Sequence, residues 1–256
     1  MSDEVLYEVD GRIATITLNR PQQRNAVNPE LTAAFSEVLG TFEADPEVWV
    51  AVLTGAGGIF SAGADLKAIA AGRARDLSTE QGGFAGFVRY PRTKPMIAAV
   101  RGLALAGGTE LAIACDLIVA GTDTAFGLPE VTRGIVAAGG GLLRLPRILP
   151  RARALELVMT GARLPADEAL RFGMVNAVVE PDEVLPTARA LAERICRNAP
   201  VAVRESLALA RQADQLTEDE GWRLSGEASE RVRHTEDARE GPRAFAEKRE
   251  PQWSGR

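Results

Sequence analysis

Pro95-Met96-Ile97-Ala98-Ala99-Val100-Arg101-Gly102-Leu103-Ala104-Leu105-Ala106-Gly107-Gly108-Thr109-Glu110-Leu111-Ala112-Ile113-Ala114 is the stretch whose reading decides the fold. Its first six residues form a short apolar run, the length of a buried strand. Gly102 to Gly108 is small and glycine-rich, and Thr109 to Ala114 turns helical. The same order of parts occurs upstream. Val48 to Thr54 is an apolar run of high β-propensity, Gly55 to Gly63 is a glycine loop, and Asp65-Leu66-Lys67-Ala68-Ile69 reads as a capped helix start. A third unit begins at Asp116-Leu117-Ile118-Val119-Ala120 and passes through Pro129-Glu130 to Gly139-Gly140-Gly141. Strand, glycine loop and helix repeated in this way predict an α/β chain of stacked turns.

On the N-terminal side, Val5 to Asn19 alternates apolar and polar residues about Asp10-Gly11, which predicts a β-hairpin with a type I′ turn. Asn28-Pro29 then reads as a cap and first helical position, followed by Leu31, Phe35, Val38, Leu39 and Phe42 on one helical face. Beyond Pro150 helical patterns dominate, at Arg151 to Thr160, Ala166 to Phe172, Ala188 to Arg197, Val201 to Ala213, Glu218 to Arg233 and Glu236 to Lys248, with one short strand at Met174 to Val179. The pattern becomes wholly helical near residue 195. A core over residues 1–195 and a helical region over 196–256 are therefore expected.

The 256 residues are 46% hydrophobic and 25% charged, an ordinary globular composition with a formal net charge of −5. That charge, with no basic block, argues against binding to nucleic acid. Cys115 and Cys196 make no disulfide framework, and with His234 as the single histidine there are too few ligands for a zinc site. His234 is expected at the surface and Cys115 in an apolar helix, in packed core. The acidic opening Met-Ser-Asp-Glu-Val is unlike a leader, and no apolar run is long enough to span a bilayer. A cytoplasmic protein in a reducing compartment is expected.

Familiar motifs fail on single residues. Gly55-Ala56-Gly57-Gly58-Ile59-Phe60 has phenylalanine where a dinucleotide fingerprint needs its third glycine. Ile59 stands where a nucleophile elbow before Ser61 needs glycine, and no phosphate-binding GxxxxGK loop exists. What remains is two glycine loops feeding helix starts, Ser61 to Leu66 and Ala104 to Glu110, with Glu110 and Glu130 close behind. Free N–H groups at such starts can converge on one ligand oxygen, and small residues let that oxygen approach. By position alone, Glu110 reads as a complement to a helix dipole and Pro129-Glu130 as a plain helix start. Asp65 reads as a cap.

Taken together, Arg24-Asn25-Ala26-Val27-Asn28, Phe60 to Lys67, Gly102 to Asp116 and Phe126-Gly127-Leu128-Pro129-Glu130 resemble the crotonase or enoyl-CoA hydratase superfamily over essentially the whole chain. The resemblance implies a spiral of repeated ββα units with a C-terminal helical trimerisation region, assembled as a homotrimer or as a hexamer of two trimers. It implies an acyl-CoA thioester as substrate, with no metal and no separate cofactor. Carried over by position, the backbone amides of Ala64 and Gly107 form an oxyanion hole, Glu110 and Glu130 are the catalytic pair, and Ala26, Ala62, Gly63, Asp65, Leu66 and Lys67 line the coenzyme A channel. The stretch Glu236 to Pro251 is similar to the family's tail, including its carnitinyl-CoA dehydratase branch. There, Phe245 and Lys248 are expected to reach a neighbouring subunit's coenzyme A.

Hydration of an enoyl thioester needs a base for water at Cβ, an acid for Cα and a holder for the enolate-like oxygen, which is why two carboxyls and two amides suit it. An isomerase needs no activated water, so Glu110 argues for the hydratase. Carnitinyl-CoA dehydration would use the same machinery, and a catalytically silent acyl-CoA binder is the reading from another class. The chain departs from the common Gly-x-x-Pro-Gly-x-Gly-Gly pattern at Ala137 and Ala138, so a different pocket shape is expected near the acyl group. Gly72 to Thr93 is expected to form a mobile wall of that pocket.

Overall fold

The computed structural model describes residues 3–256, so the first two residues of the acidic opening lie outside it. A hairpin of β1 (Val5–Asp10) and β2 (Ile13–Leu18) leads to α1 (Pro29–Ala44), β3 (Val50–Gly55) and α2 (Leu66–Ala70). Two short strands, β4 (Ser78–Thr79) and β5 (Gly83–Phe84), precede β6 (Met96–Val100), β7 (Leu103–Leu105), α3 (Gly107–Ala114), β8 (Leu117–Gly121) and β9 (Ala125–Gly127). Then come α4 (Gly141–Ile148), α5 (Arg151–Thr160), β10 (Arg163–Pro165), α6 (Ala166–Arg171), β11 (Ala177–Val179) and α7 (Val184–Cys196). The chain closes with α8 (Pro200–Ala210), α9 (Glu218–Arg233) and α10 (Asp237–Glu247).

The main sheet has the order β1-β2-β3-β6-β8-β11, antiparallel at the hairpin and parallel from β2 onward. Both faces are covered. Ala51, Leu53, Met96, Ala98 and Val100 point into the core shared with α1 and α3, whereas Val50, Val52, Ile97 and Ala99 alternate to the other side. Ala188 and Ala192, one helical turn apart on α7, press on that second face. A strand buried on both faces needs uninterrupted apolar residues, which is why these runs do not alternate with polar ones.

Each main strand is followed by a short segment that stacks on its counterpart in the next turn. Val27 bridges Ala64, Ser61 bridges Ala104, β7 pairs with β9, and β9 pairs with β10. Main strand, stacked segment and helix thus repeat along an axis, the crotonase-type spiral of an α/β protein, with helices alone after α7.

Three local expectations shift. Asp10 pairs with Ile13, so the hairpin loop is Gly11-Arg12, with positive φ (59°) at Gly11 alone. Type I′ requires positive φ at both central residues, so the turn is not of that type. The expected strand over Met174 to Val179 is reduced to Ala177–Val179, because Met174 and Val175 turn into the core before the ladder begins at Asn176. Cys115 sits just past the end of α3, not within it, half-buried against the core.

Candidate active site

Stacking brings the two glycine loops together. Asn25 is fully buried and donates from Nδ2 to the carbonyls of Ala56 (2.9 Å) and Ile59 (2.6 Å). Its own carbonyl accepts from the Ser61 hydroxyl (2.8 Å), which in turn accepts from Gly63 N–H (3.1 Å). Ladder bonds from Val27 N–H to Gly63 and from Asp65 N–H to Val27 flank Ala64 and leave its own N–H without an acceptor among the described residues. A Cβ built on Gly63 would lie 2.7 Å from the Gly107 nitrogen. Only glycine permits that approach, and Gly63 also holds a positive φ of 85°.

On the second loop, Ala106 adopts φ 54° and ψ −128°, a conformation costly for a residue with a Cβ. It turns the chain into α3, so that the Gly107 N–H opens the helix with no intrahelical partner. Thr109, buried inside the first turn, clamps the bend. Its hydroxyl donates toward the Ala104 and Gly127 carbonyls and accepts from Gly127 N–H (2.9 Å), while Ala106 N–H also bonds Gly127 (2.8 Å). The Phe84 ring covers Gly107 so closely that a Cβ there would meet it at 2.4 Å.

Two buried carboxyls face the same cleft. Glu110, on α3, is 3% exposed, and its Oε1 accepts from Gly141 N–H at 2.8 Å. Gly139 and Gly141 cradle it, since a Cβ on Gly139 would stand 2.4 Å from Oε2. Burial pushes its carboxyl up, and the N–H groups of Gly141 and Gly139 with the Arg144 charge pull it partway back. Glu130 lies in a single 3-10 turn, Pro129–Arg133, and is 6% exposed. Its Oε2 is buried without a hydrogen-bond partner among the described residues, and burial, reinforced by the Glu110 charge, raises its carboxyl to about 7. One carboxyl is held as an acceptor and the other is left to keep its proton, a division suited to base and acid work.

The cleft has a volume of 2040 Å³, beyond what a small metabolite needs. Ala26, Ala62, Ala64, Asp65, Leu66, Lys67, Gly107, Glu110 and Glu130 all line it, and Gly63 packs immediately behind. Asp65 caps α2 by accepting from Lys67 N–H (3.0 Å) and pairs with Arg20 (3.1 Å). Phe87, Val88 and Phe84 of the 72–93 segment form one wall, anchored by Phe87 stacked on Phe35 at 5.0 Å. Ala138 lines the cleft, whereas Ala137 turns into the core. At the far side, Asp116 is gripped by Arg211 (2.7 Å) and Arg92 (3.3 Å). Burial opposes its ionisation, but the two guanidiniums overcome that and hold the carboxyl below its usual range. Phe245 and Lys248 do not line the cleft of their own chain, and Phe245 is 87% exposed on α10. His234 is exposed.

Several residues that hold the site escaped the sequence reading. Thr109 stood inside a quoted motif without a role, Arg20 and Arg144 carried no signal, and the Ala106 bend is invisible in composition.

The fold and the pair of loops define a crotonase-type scaffold, and the chain belongs to the enoyl-CoA hydratase/isomerase family, whose sequence model matches residues 8–256. It is 46% identical over 261 residues to a carnitinyl-CoA dehydratase of Salmonella arizonae, covering the full length of both. Among solved structures it is similar to an enoyl-CoA hydratase from Mycobacterium tuberculosis H37Rv, at 47% identity and a TM-score of 0.95 with full coverage of both chains. It is also similar to a carnitinyl-CoA hydratase from Mycobacterium avium, at 46% identity and a TM-score of 0.77, again over both full lengths. The protein is an enzyme of the hydratase type.

Proposed function

We propose that the protein adds water across the 2,3 double bond of an enoyl-CoA thioester. The observation that carries this is the meeting, in one cleft, of two unused backbone N–H groups, at Ala64 and Gly107, with two buried carboxyls. The thioester oxygen accepts from both amides, each worth about 3–4 kcal/mol of transition-state stabilisation. Glu110 takes a proton from water as the oxygen bonds to Cβ. The electron pair of the double bond moves toward Cα and the carbonyl, and the charge is held between the two amides. Cα then takes the proton from Glu130, which leaves Glu110 protonated and Glu130 ionised until solvent resets them. Run backward, the same steps dehydrate a 3-hydroxyacyl-CoA.

No metal or separate cofactor has a part in this scheme, because the coenzyme A arrives with the substrate. Ala26, Ala62 and Asp65 to Lys67 form its channel. Phe245 and Lys248 reach the coenzyme A of a neighbouring subunit in a trimer or a hexamer of trimers, with residues 196–256 as the oligomerisation region and 1–195 as the core. No helix of the described residues is long and apolar enough to cross a membrane, and a cytoplasmic location fits this chemistry.

A second reading is favoured by the tail and by the relatives bearing a carnitinyl-CoA name, namely the same chemistry on carnitinyl-CoA. Mixing the protein with crotonyl-CoA, longer enoyl-CoAs and crotonobetainyl-CoA, and following loss of the conjugated thioester absorbance, separates the two. Turnover confined to crotonobetainyl-CoA selects the second reading. Turnover of a 3-enoyl-CoA with no uptake of labelled water selects an isomerase, and no reaction with any of them selects a silent acyl-CoA binder.

A further inference from the structure

The Glu110 carboxylate rests on a turn of three glycines, and that turn has a brace of its own. Arg144, in the first turns of α4, donates from Nη2 to the Val88 carbonyl at 2.6 Å and reaches the Gly139 carbonyl from Nη1 at 3.4 Å. Its guanidinium lies so close over Gly140 that a Cβ there would stand 2.1 Å from Nη1. Gly140 is held at φ 103°, a backbone state in which a side chain would be strained as well as blocked. The brace therefore connects the wall carrying Val88 to the turn whose Gly141 N–H binds Glu110.

We propose that Arg144 is a positioning residue for Glu110, fixing the glycine turn beneath its carboxylate and setting a positive charge on the Glu110 side of the two-carboxyl pair. This rests on the hydratase reading for its consequence in turnover, but not for the placement of charge. The charged and titratable groups about the pair are few. Glu130 faces Glu110 from the 3-10 turn, Arg144 faces it from α4, and Arg92, Arg147 and Cys115 in turn act on Arg144. Burial weakens the hold of Arg144 on its proton and Glu110 offsets that, so cation and carboxylate support each other's ionised form. Among the described residues no cation serves Glu130 in this way, and its buried Oε2 lacks a partner there. The asymmetry assigns the proton to Glu130 and the ionised state to Glu110, so base and acid do not exchange places.

The test titrates the two carboxyls directly, by ¹³C-NMR of the protein labelled at glutamate Cδ, with Glu110→Gln and Glu130→Gln assigning the signals. In Arg144→Met the Glu110 titration moves up by about one pH unit, the effect of losing a nearby opposite charge. In Arg144→Lys it stays where the unaltered protein has it, because the charge is kept while the two-carbonyl bridge is lost. Hydration should follow. In Arg144→Met the acid limb of the kcat/KM profile moves up with the titration. In both variants kcat falls at least tenfold while KM stays within about threefold. A Glu110 titration unmoved in Arg144→Met overturns the proposal. Should Arg144→Met fail to fold, a Glu110 titration displaced in Arg144→Lys, or full kcat in that variant, overturns it instead. If the unaltered protein hydrates nothing, the hydratase reading falls, and the titration still decides the place of the charge.

Discussion

Replacing Gly139 with alanine is the smallest change that should disable the site while leaving the fold intact. The backbone at Gly139 does not use a positive φ, so alanine is admissible there. Its Cβ would lie 2.4 Å from Glu110 Oε2 and 2.8 Å from Cδ, whereas ordinary contact begins at 3.4 Å. The carboxylate must therefore retreat by about 1 Å, and displacement of a reacting group on that scale costs about 10²-fold in rate. Retreat also strains the 2.8 Å bond from Gly141 N–H that fixes its direction. The expected result with crotonyl-CoA, followed by loss of enoyl thioester absorbance, is a kcat lowered about 10²-fold with KM within about threefold. The melting temperature should change little. If Gly139→Ala keeps kcat within a factor of about three while a crystal structure shows the methyl group in place, then the position of Glu110 is not what limits hydration.

Glu130→Gln should lower hydration by about 10²–10⁴-fold, the range for loss of a positioned acid. It should also abolish the fall in activity as pH rises through about 7, where the unaltered Glu130 gives up its proton. The same residue bears on stability. Its carboxyl titrates higher when folded than when unfolded, so folding grows less favourable as pH climbs from the ordinary carboxylate range toward about 7. Differential scanning calorimetry at pH 5 and pH 8 should show Glu130→Gln gaining on the unaltered protein by on the order of 5 °C. Thr109→Val keeps shape but strips the hydroxyl that clamps Gly127 to the Ala106 bend, and should cost about 1–3 kcal/mol in urea unfolding with a clear loss of kcat. Lys94→Met provides the contrast. The buried ammonium closes the end of α1 by donating to the Phe42 and Asp45 carbonyls, so its loss should cost about 3 kcal/mol of stability and leave kcat unchanged below the melting transition.

Much of the architecture could be read in advance because burial on two faces writes itself into composition. Val50 to Leu53 and Met96 to Val100 carry no polar residue, and only a sheet covered by α1 and α3 on one side and α7 on the other needs that. Glu110 was visible as a carboxylate behind a glycine loop, and Asp65 as a cap. The brace on Glu110 was not legible, because Arg144 reads in a sequence as one more basic residue on an amphipathic helix. Its meaning depends on Val88 and Gly139, brought within reach only by the folded chain. The hairpin turn misled for a local reason. Asp10-Gly11 is a favoured pair, yet register is set by which strand residues must face the core, and Ile13 is buried opposite Asp10. Phe245 and Lys248 are surface residues of the single chain and stand away from its cleft, so nothing in the packing of one chain reads out a role for them.

The bend at Ala106 sets two kinds of fitness against each other. A residue held at φ 54° and ψ −128° burdens the native state by about 1–3 kcal/mol, and Ala106→Gly would relieve most of that. The same relief would free the peptide that aims the Gly107 amide. A directed-evolution campaign that rewards heat tolerance alone should therefore enrich Ala106→Gly among its survivors, and those survivors should be the sluggish ones.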